Sequence, residues 1–401
     1  MHDNGLGGTR RFDLDWIRIG AFMLLILYHV GMLYVPWEYH VKSTHRVPQL
    51  VPLMLALNPW RLALLFLVAG AATRFMTGTR STGRLFASRS ARLLPPLVFG
   101  MLVVVPPQSY FQVVQKHGFT GGFLDFYLGH YLAFGPDFCA AGRCIMLPTW
   151  NHLWFVVYLW VYTALLAAVL AAFPALPARV DRMTARTLSG PALFVGPVLL
   201  LSVFRIVLFP MFPETHALFG DWYAHALYAA FFLFGFFFAP NPQVRGAIVR
   251  GRWAALLGAA AAYAIFMLPR LLPDTQTLAL GPALKVSGPV AYAAYQWLCT
   301  LAVLGFAARW LTRDSPARRY LTDAVFPYFI IHQTAIVAAA FALRDAGLPA
   351  PVEGAVIVLA TAASCALGYE VVRRIGWLRP LFGLKLRPAA NARRDAAAVA
   401  A

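Results

Sequence analysis

The sequence predicts an all-α polytopic integral membrane protein of about ten transmembrane helices with both termini cytoplasmic, and three observations carry that prediction. Of 401 residues, 60% are hydrophobic and only 12% are charged, about half the charged share of a soluble domain. The apolar residues gather in runs of roughly 20, the helical length that crosses a hydrocarbon core of about 30 Å. The intervals between runs are short, so one membrane domain over residues 1–386 is expected, followed by an alanine-rich cytoplasmic tail, 387–401, expected to be disordered. A net charge of +18 would suit nucleic acid if it formed a patch, but here the cations punctuate the apolar runs, which excludes that class of partner.

Spans are predicted at 16–36, 51–73, 93–113, 152–173, 190–211, 222–240, 253–272, 289–309, 321–343 and 352–372. Sorting the basic residues into alternate loops sets their direction. One set holds Arg10, Arg11 and Arg18, the run from Arg74 to Arg92, Arg179 to Arg186, Arg245 to Arg252, Arg309 to Arg319 and the tail from Arg373. The other holds only Lys42, Arg46, Lys116, Arg143, Arg270, Lys285 and Arg344. By the positive-inside rule the richer set is cytoplasmic. The first apolar run is long enough to span and no small-residue cleavage site follows it, so it reads as a retained anchor rather than a removable signal peptide.

The first span, within RRFDLDWIRIGAFMLLILYHVGMLYVPWEYH, carries the two most informative polar residues. Arg18 and His29 are eleven residues apart, about three turns, so both project from one helix face some ~16 Å apart. His29 then lies in the outer half of the bilayer and Arg18 at the cytoplasmic entrance. Ionisable groups at such depth are costly and face a polar interior or a watery cavity. Read singly, Arg18 is equally an anchor and His29 a hydrogen-bonded core residue; together they point to chemistry that connects two compartments. Glu38 and His40 follow at the outer mouth.

In the second span Arg61 lies near the outer end, as a site residue or as a cation that snorkels to the interface. The next loop is the richest in arginine, Arg84 among them, and Arg89 and Arg92 are an i, i+3 pair on what is expected to be a short cytoplasmic helix ended by Pro95 and Pro96. Guanidinium forks match phosphate oxygens, although the positive-inside rule alone accounts for arginines here. The long interval from Gln115 to Asn151 is expected to form an external lid. Cys139 and Cys144 lie within it as CAAGRC, either a small disulfide loop in an oxidising compartment or two free thiols. Asn151, His152 and Trp154 mark the rim of the fourth span, where Trp154 is a belt aromatic or a site residue. The run FFLFGFFF near Phe231 carries no chemistry. His332 and Gln333 fall inside the ninth span, where an imidazole requires a partner. No metal-ligand spacing, nucleophile elbow, P-loop or dinucleotide fingerprint is present, and no inverted repeat is visible.

These motifs carry a resemblance. DLDWIRIGAFMLLILYHVGM resembles the opening of the membrane acyltransferase-3 family, with Arg18 and His29 at that family's spacing. RSAR at Arg89 to Arg92 is similar to its paired-arginine motif, and LFLVAG to its second-helix segment, with Ala69 where the family usually has serine. YHVKS at Tyr39 to Ser43 and the Trp60–Arg61 pair resemble the glucan biosynthesis protein C branch, which implies a glucan succinyltransferase. Leu159 stands where many relatives have an acid, so no acid is carried over from that helix. The resemblance implies a donor acyl-CoA, succinyl-CoA or acetyl-CoA, whose phosphates dock on Arg84, Arg89 and Arg92 with the thioester directed past Arg18. It implies His29 as general base or transient acyl carrier, with Asp15 holding Arg18. A periplasmic glucan or other polysaccharide would enter by Glu38, His40, Arg61, Asn151, His152, Trp154 and His332. The expected location is the bacterial inner membrane, with oligomeric state open. A transporter or flippase for an anionic or lipid-linked solute would use the same ionisable residues to line a pathway without covalent chemistry. An assembly protein would use them only to pin helices.

Overall fold

The chain is described by a computed structural model covering residues 11–77, 81–140, 143–187, 190–272 and 281–386. The tail 387–401 and the loop cations Arg10 and Arg80 lie outside the described residues. Nine described helical stretches are long and apolar enough to cross a membrane, and the shorter apolar helix Trp222–Phe238 makes a tenth at a predicted span. The ten predicted runs are therefore all helical.

In chain order the helices are α1 (Phe12–Gly31), α2 (Val51–Thr77), α3 (Thr82–Phe99), α4 (Pro106–His117), α5 (Phe123–Gly129), α6 (Trp154–Ala172), α7 (Leu176–Thr187), α8 (Ala192–Val203) and α9 (Phe209–Met211). Then come α10 (Trp222–Phe238), α11 (Pro242–Leu271), α12 (Gly281–Trp310), α13 (Pro316–Leu343), α14 (Ala350–Arg374) and α15 (Leu378–Leu381). Their starts obey local chemistry. Ser81 accepts from the Arg84 amide, Ser315 from that of Arg318, and Asn241 from those of Gln243 and Val244, each supplying the acceptor that a helix N-terminus lacks. α1 is central, packing against α2, α12, α13 and α14, which places its polar stripe among other helices.

One crossing depends on two small residues. A Cβ added at Gly70 of α2 would lie 1.9 Å from the Phe232 carbonyl oxygen, and one at Gly235 of α10 the same distance from that of Leu67. The two backbones meet with no room for a side chain, the packing that small residues permit between membrane helices. Phe231, Phe232 and Phe236 are buried beside this crossing, so the phenylalanine run is largely core.

Two boundaries differ from expectation. α1 ends at Gly31, not at 36, because Lys42 folds back and donates Nζ to the carbonyls of Met32, Val35 and Trp37, satisfying acceptors the helix would otherwise continue to use. Glu353 of α14 accepts from Tyr34 and Ser43 at 3.2 Å each and ties this loop to the bundle. The arginine-bearing helix is not a short cytoplasmic one that stops at Pro95 and Pro96. It runs through both prolines and, by a π turn at Gly100–Val104, into α4. In a membrane bundle, neighbouring groups and local π adjustment absorb the hydrogen bonds that proline removes.

The interval expected to form a lid folds as a small unit of its own. α5 and an antiparallel hairpin of β1 (Gly135–Ala140) and β2 (Arg143–Leu147) pack around a separate small core of Val113, Phe126, Tyr131 and Leu147. A disulfide joins Cys139 to Cys144 across the hairpin. Cys365 is buried and Cys299 half-buried, both unpaired thiols within helices.

Candidate active site

A cavity of about 490 Å³ opens at the end of the bundle remote from the arginine-rich loops. Its wall comes from α1 (Tyr28, His29), α2 (Asn58, Arg61), the start of α6 (His152, Trp154) and α13 (Phe329, Gln333). Loops at 38–40, 149–151 and 214–216 form its rim. Of the residues expected on the acceptor side, Glu38, His40, Arg61, Asn151, His152 and Trp154 all line it. His332 stands directly behind His29, fully buried.

The imidazoles of His29 and His332 stack at 5.1 Å with a 9° interplanar angle, and His29 Nδ1 is 3.0 Å from His332 Nε2. Their tautomers follow from the next partner. His332 Nδ1 lies 2.7 Å from the Phe329 carbonyl oxygen, which can only accept, so the proton of neutral His332 is on Nδ1. Its Nε2 is then an acceptor, and His29 must donate Nδ1–H to it. His29 Nε2 is left with a lone pair, on a ring that lines the cavity. A histidine whose far nitrogen is fixed in this way is oriented as a base or nucleophile.

His152 is fixed in the opposite sense. Its Nε2 is 3.1 Å from the Ile330 carbonyl oxygen, so Nδ1 carries the lone pair, and that buried atom has no hydrogen-bond partner. His40 donates Nδ1–H to Gln112 Oε1 at 2.7 Å and accepts from Gln333 Nε2 at 2.8 Å. Gln333 also donates to Gln108 Oε1, which in turn accepts from Asn151 Nδ2, both at 3.1 Å. This amide chain holds the rim loops in register with α13. Enclosure beneath the loop pushes the His40 imidazole below its usual pKa, with Lys116 adding to that effect against the hydrogen bond to Gln112.

Arg61 is only 2% exposed and its guanidinium lies 3.6 Å over the Tyr28 ring. Its Nε and Nη1 have no hydrogen-bond partner and it makes no ion pair among the described residues. This is not a snorkelling cation; it is a buried one facing a cavity.

Sequence reasoning missed Glu214 and His216. They lie in the loop after α9, and His216 Nε2 is 3.0 Å from Glu214 Oε1, which also accepts from Tyr228. The His216 ring stacks on Trp154 at 4.1 Å, so that face of Trp154 is covered. Burial opposes ionisation of Glu214, yet His216 and the Tyr228 hydroxyl hold its carboxyl below the usual range. The sequence offers only an acid and an imidazole two residues apart in a loop, with no periodicity to place them.

At the arginine-rich end the expected residues separate. Arg89 is buried and donates to Thr73 Oγ1 and to the Ala69 carbonyl, fastening α3 to α2, whereas Arg84 and Arg92 are exposed. The three do not form one open cluster, because Arg89 lies on the face of α3 turned to α2. Asp15, expected to hold Arg18, reaches across to Arg318 of α13, while Arg18 donates to the Thr322 carbonyl at 2.7 Å. The buried Arg318 requires a charge partner, and α1 supplies it.

Among the described residues no group of three or more His, Cys, Asp or Glu forms a metal-binding cluster. Fold and site together define a multi-pass membrane protein with a paired imidazole and a buried cation around a polar cavity inside its bundle. The family follows from comparison: the acyltransferase domain of the acyltransferase-3 family matches residues 11–370, and the chain belongs to that family. It is accordingly an enzyme that transfers acyl groups other than amino-acyl groups. Neither a curated protein nor a solved structure matches it.

Proposed function

We propose that this protein moves a succinyl or acetyl group from a cytoplasmic acyl-CoA to a hydroxyl of a periplasmic glucan or other surface polysaccharide, in the inner membrane of a bacterium. The observation that carries the reading is the lone pair left on His29 Nε2, on the wall of a cavity that also holds a buried guanidinium with two unpartnered nitrogens. In the proposed reaction the acceptor hydroxyl gives its proton to His29 Nε2 as its oxygen adds to the thioester carbonyl. His332 shares the resulting charge through the Nδ1–H bond, and Arg61 faces the oxyanion that forms. Collapse of the adduct breaks the C–S bond, and the departing thiolate takes the proton from His29, leaving ester and free CoA. Positive-inside sorting supports a cytoplasmic place for the donor, with Arg84 and Arg92 exposed to meet its phosphates.

Purified protein incubated with radiolabelled succinyl-CoA or acetyl-CoA and a glucan tests this reading. Label recovered on the sugar is the expected result. Label retained on the protein before any sugar is added would make His29 an acyl carrier. Solute uptake into vesicles with no label transfer would overturn the reading in favour of transport.

A further inference from the structure

A second pocket, of about 350 Å³, lies between the ends of α8–α9, α11 and α12 on the same face as the main cavity. Its walls are Ile206, Phe209, Pro210, Phe266, Pro269, Pro289 and Tyr292, and three cations, Arg205, Arg270 and Lys285, border it with no acid among the described residues that line it. Two features make this arrangement unusual. Cations are sparse on this face, and others there have internal partners: Lys116 pairs with Glu38, Arg344 with Asp345, and Lys42 caps α1. Arg205, Arg270 and Lys285 form no ion pair among the described residues, and the positive-inside rule gives no reason for cations on this side.

Arg205 is also held in advance. It sits in the π turn Phe204–Leu208, with its guanidinium 3.6 Å over the Phe209 ring and 4.1 Å over that of Tyr292, and Nη1 3.3 Å from the Tyr223 hydroxyl. π turns recur where a helix re-aims a side chain for function. The stretches Ala192–Met211 and Pro242–Leu271 have the smallest buried shares among the candidate spans, 17% and 22% of their most apolar windows, so two of the helices that wall the pocket leave most of their surface free for lipid. Apolar walls beneath a cationic rim match one ligand chemistry, a phosphate carried on hydrocarbon chains.

We propose that this pocket binds a lipid with an anionic phosphate headgroup in the outer leaflet, the phosphate resting on Arg205, Arg270 and Lys285. The inference is independent of the acyl-transfer reading. Tyr292 lines this pocket and the main cavity alike, so an occupied lipid site touches the wall of the reaction chamber.

The test titrates the purified full chain in detergent with short-chain phosphatidylglycerol, phosphatidylcholine and glycerol phosphate, reading affinity by thermophoresis. Phosphatidylglycerol is expected to bind at least about tenfold more tightly than either of the others, since the first lacks net charge and the second lacks tails. Arg270→Gln with Lys285→Gln should weaken it roughly thirtyfold, about fivefold per basic contact. Both side chains are exposed, and Arg270→Lys with Lys285→Arg should restore binding, which separates lost charge from lost fold. Equal phosphatidylglycerol affinity in the Gln variant, or phosphatidylcholine bound equally well by the wild type, would overturn the proposal. Glycerol phosphate bound as tightly as the lipid would assign the pocket to soluble phosphate esters and overturn its lipid half.

Discussion

The two ends of the bundle treat buried arginine in opposite ways. At the arginine-rich end Arg318 is 1% exposed and clasped by Asp15 and Asp314, so its charge joins α1 to the start of α13. At the other end Arg61 is 2% exposed with two nitrogens unpaired, and it faces a cavity. A buried ion pair holds helices in register, whereas an uncompensated buried cation lowers stability unless something else meets it. The difference separates charges that assemble this protein from charges kept for a ligand.

His29 should produce the largest effect. Glutamine keeps a hydrogen bond to His332 but cannot take a proton near neutral pH, and loss of general-base catalysis costs about 10² to 10⁴-fold. His29→Gln is therefore expected to abolish measurable transfer per folded molecule with expression and membrane insertion intact. His332→Gln should retain more activity and shift the pH profile, because His332 acts only through His29. Retention of more than about a tenth of the wild-type rate by His29→Gln would remove His29 from the chemistry.

The arginine comparison gives the next effect, with opposite signs. Arg318→Ala takes the buried guanidinium away from the half-buried Asp15 and should lower stability by up to about 3 kcal/mol. Arg61→Met removes a buried cation that makes no ion pair among the described residues, so the thermal midpoint should hold or rise while transfer is lost. A parallel fall in midpoint for both variants would erase the distinction between the two ends.

How far the sequence reveals this division depends on the scale of the signal. The spans were legible because each is a run of some twenty apolar residues, and the outer rim because its polar residues interrupt such runs. The His29–His332 pair was not, since 303 residues separate them and no local spacing encodes a contact between helices. Arg89 was misjudged for a related reason. The helix reads from the sequence as a free cytoplasmic one, whereas it packs on α2, and Arg89 reaches Thr73 and Ala69 instead of solvent. The proposed phosphate contacts would then rest on Arg84 and Arg92. Replacing both by Gln should weaken CoA binding roughly thirtyfold, about fivefold for each lost contact, as read by calorimetry. Arg89→Ala should instead show as lost stability.

The smallest effect is at the rim, where His40 is neutral by construction: Nδ1–H donates to Gln112, and Nε2 accepts from Gln333. Enclosure holds its pKa below the usual histidine value, which fixes the sign of its contribution. Above the unfolded value, near 6.5, both states are neutral and His40 adds no pH dependence. As pH falls below about 6.5 the unfolded chain takes up a proton first, so unfolding becomes progressively easier until the folded imidazole titrates as well. Protonation then sets an N–H against the Gln333 amide and breaks the chain to Asn151. The wild-type midpoint alone reflects every ionisable group of the chain, so the informative quantity is a difference. The thermal midpoint of wild type minus that of His40→Gln, measured from pH 7.5 down to 5, should shrink on acidification, because glutamine keeps the hydrogen bonds and cannot ionise. A constant difference across that range would show that the His40 link does not respond to protons.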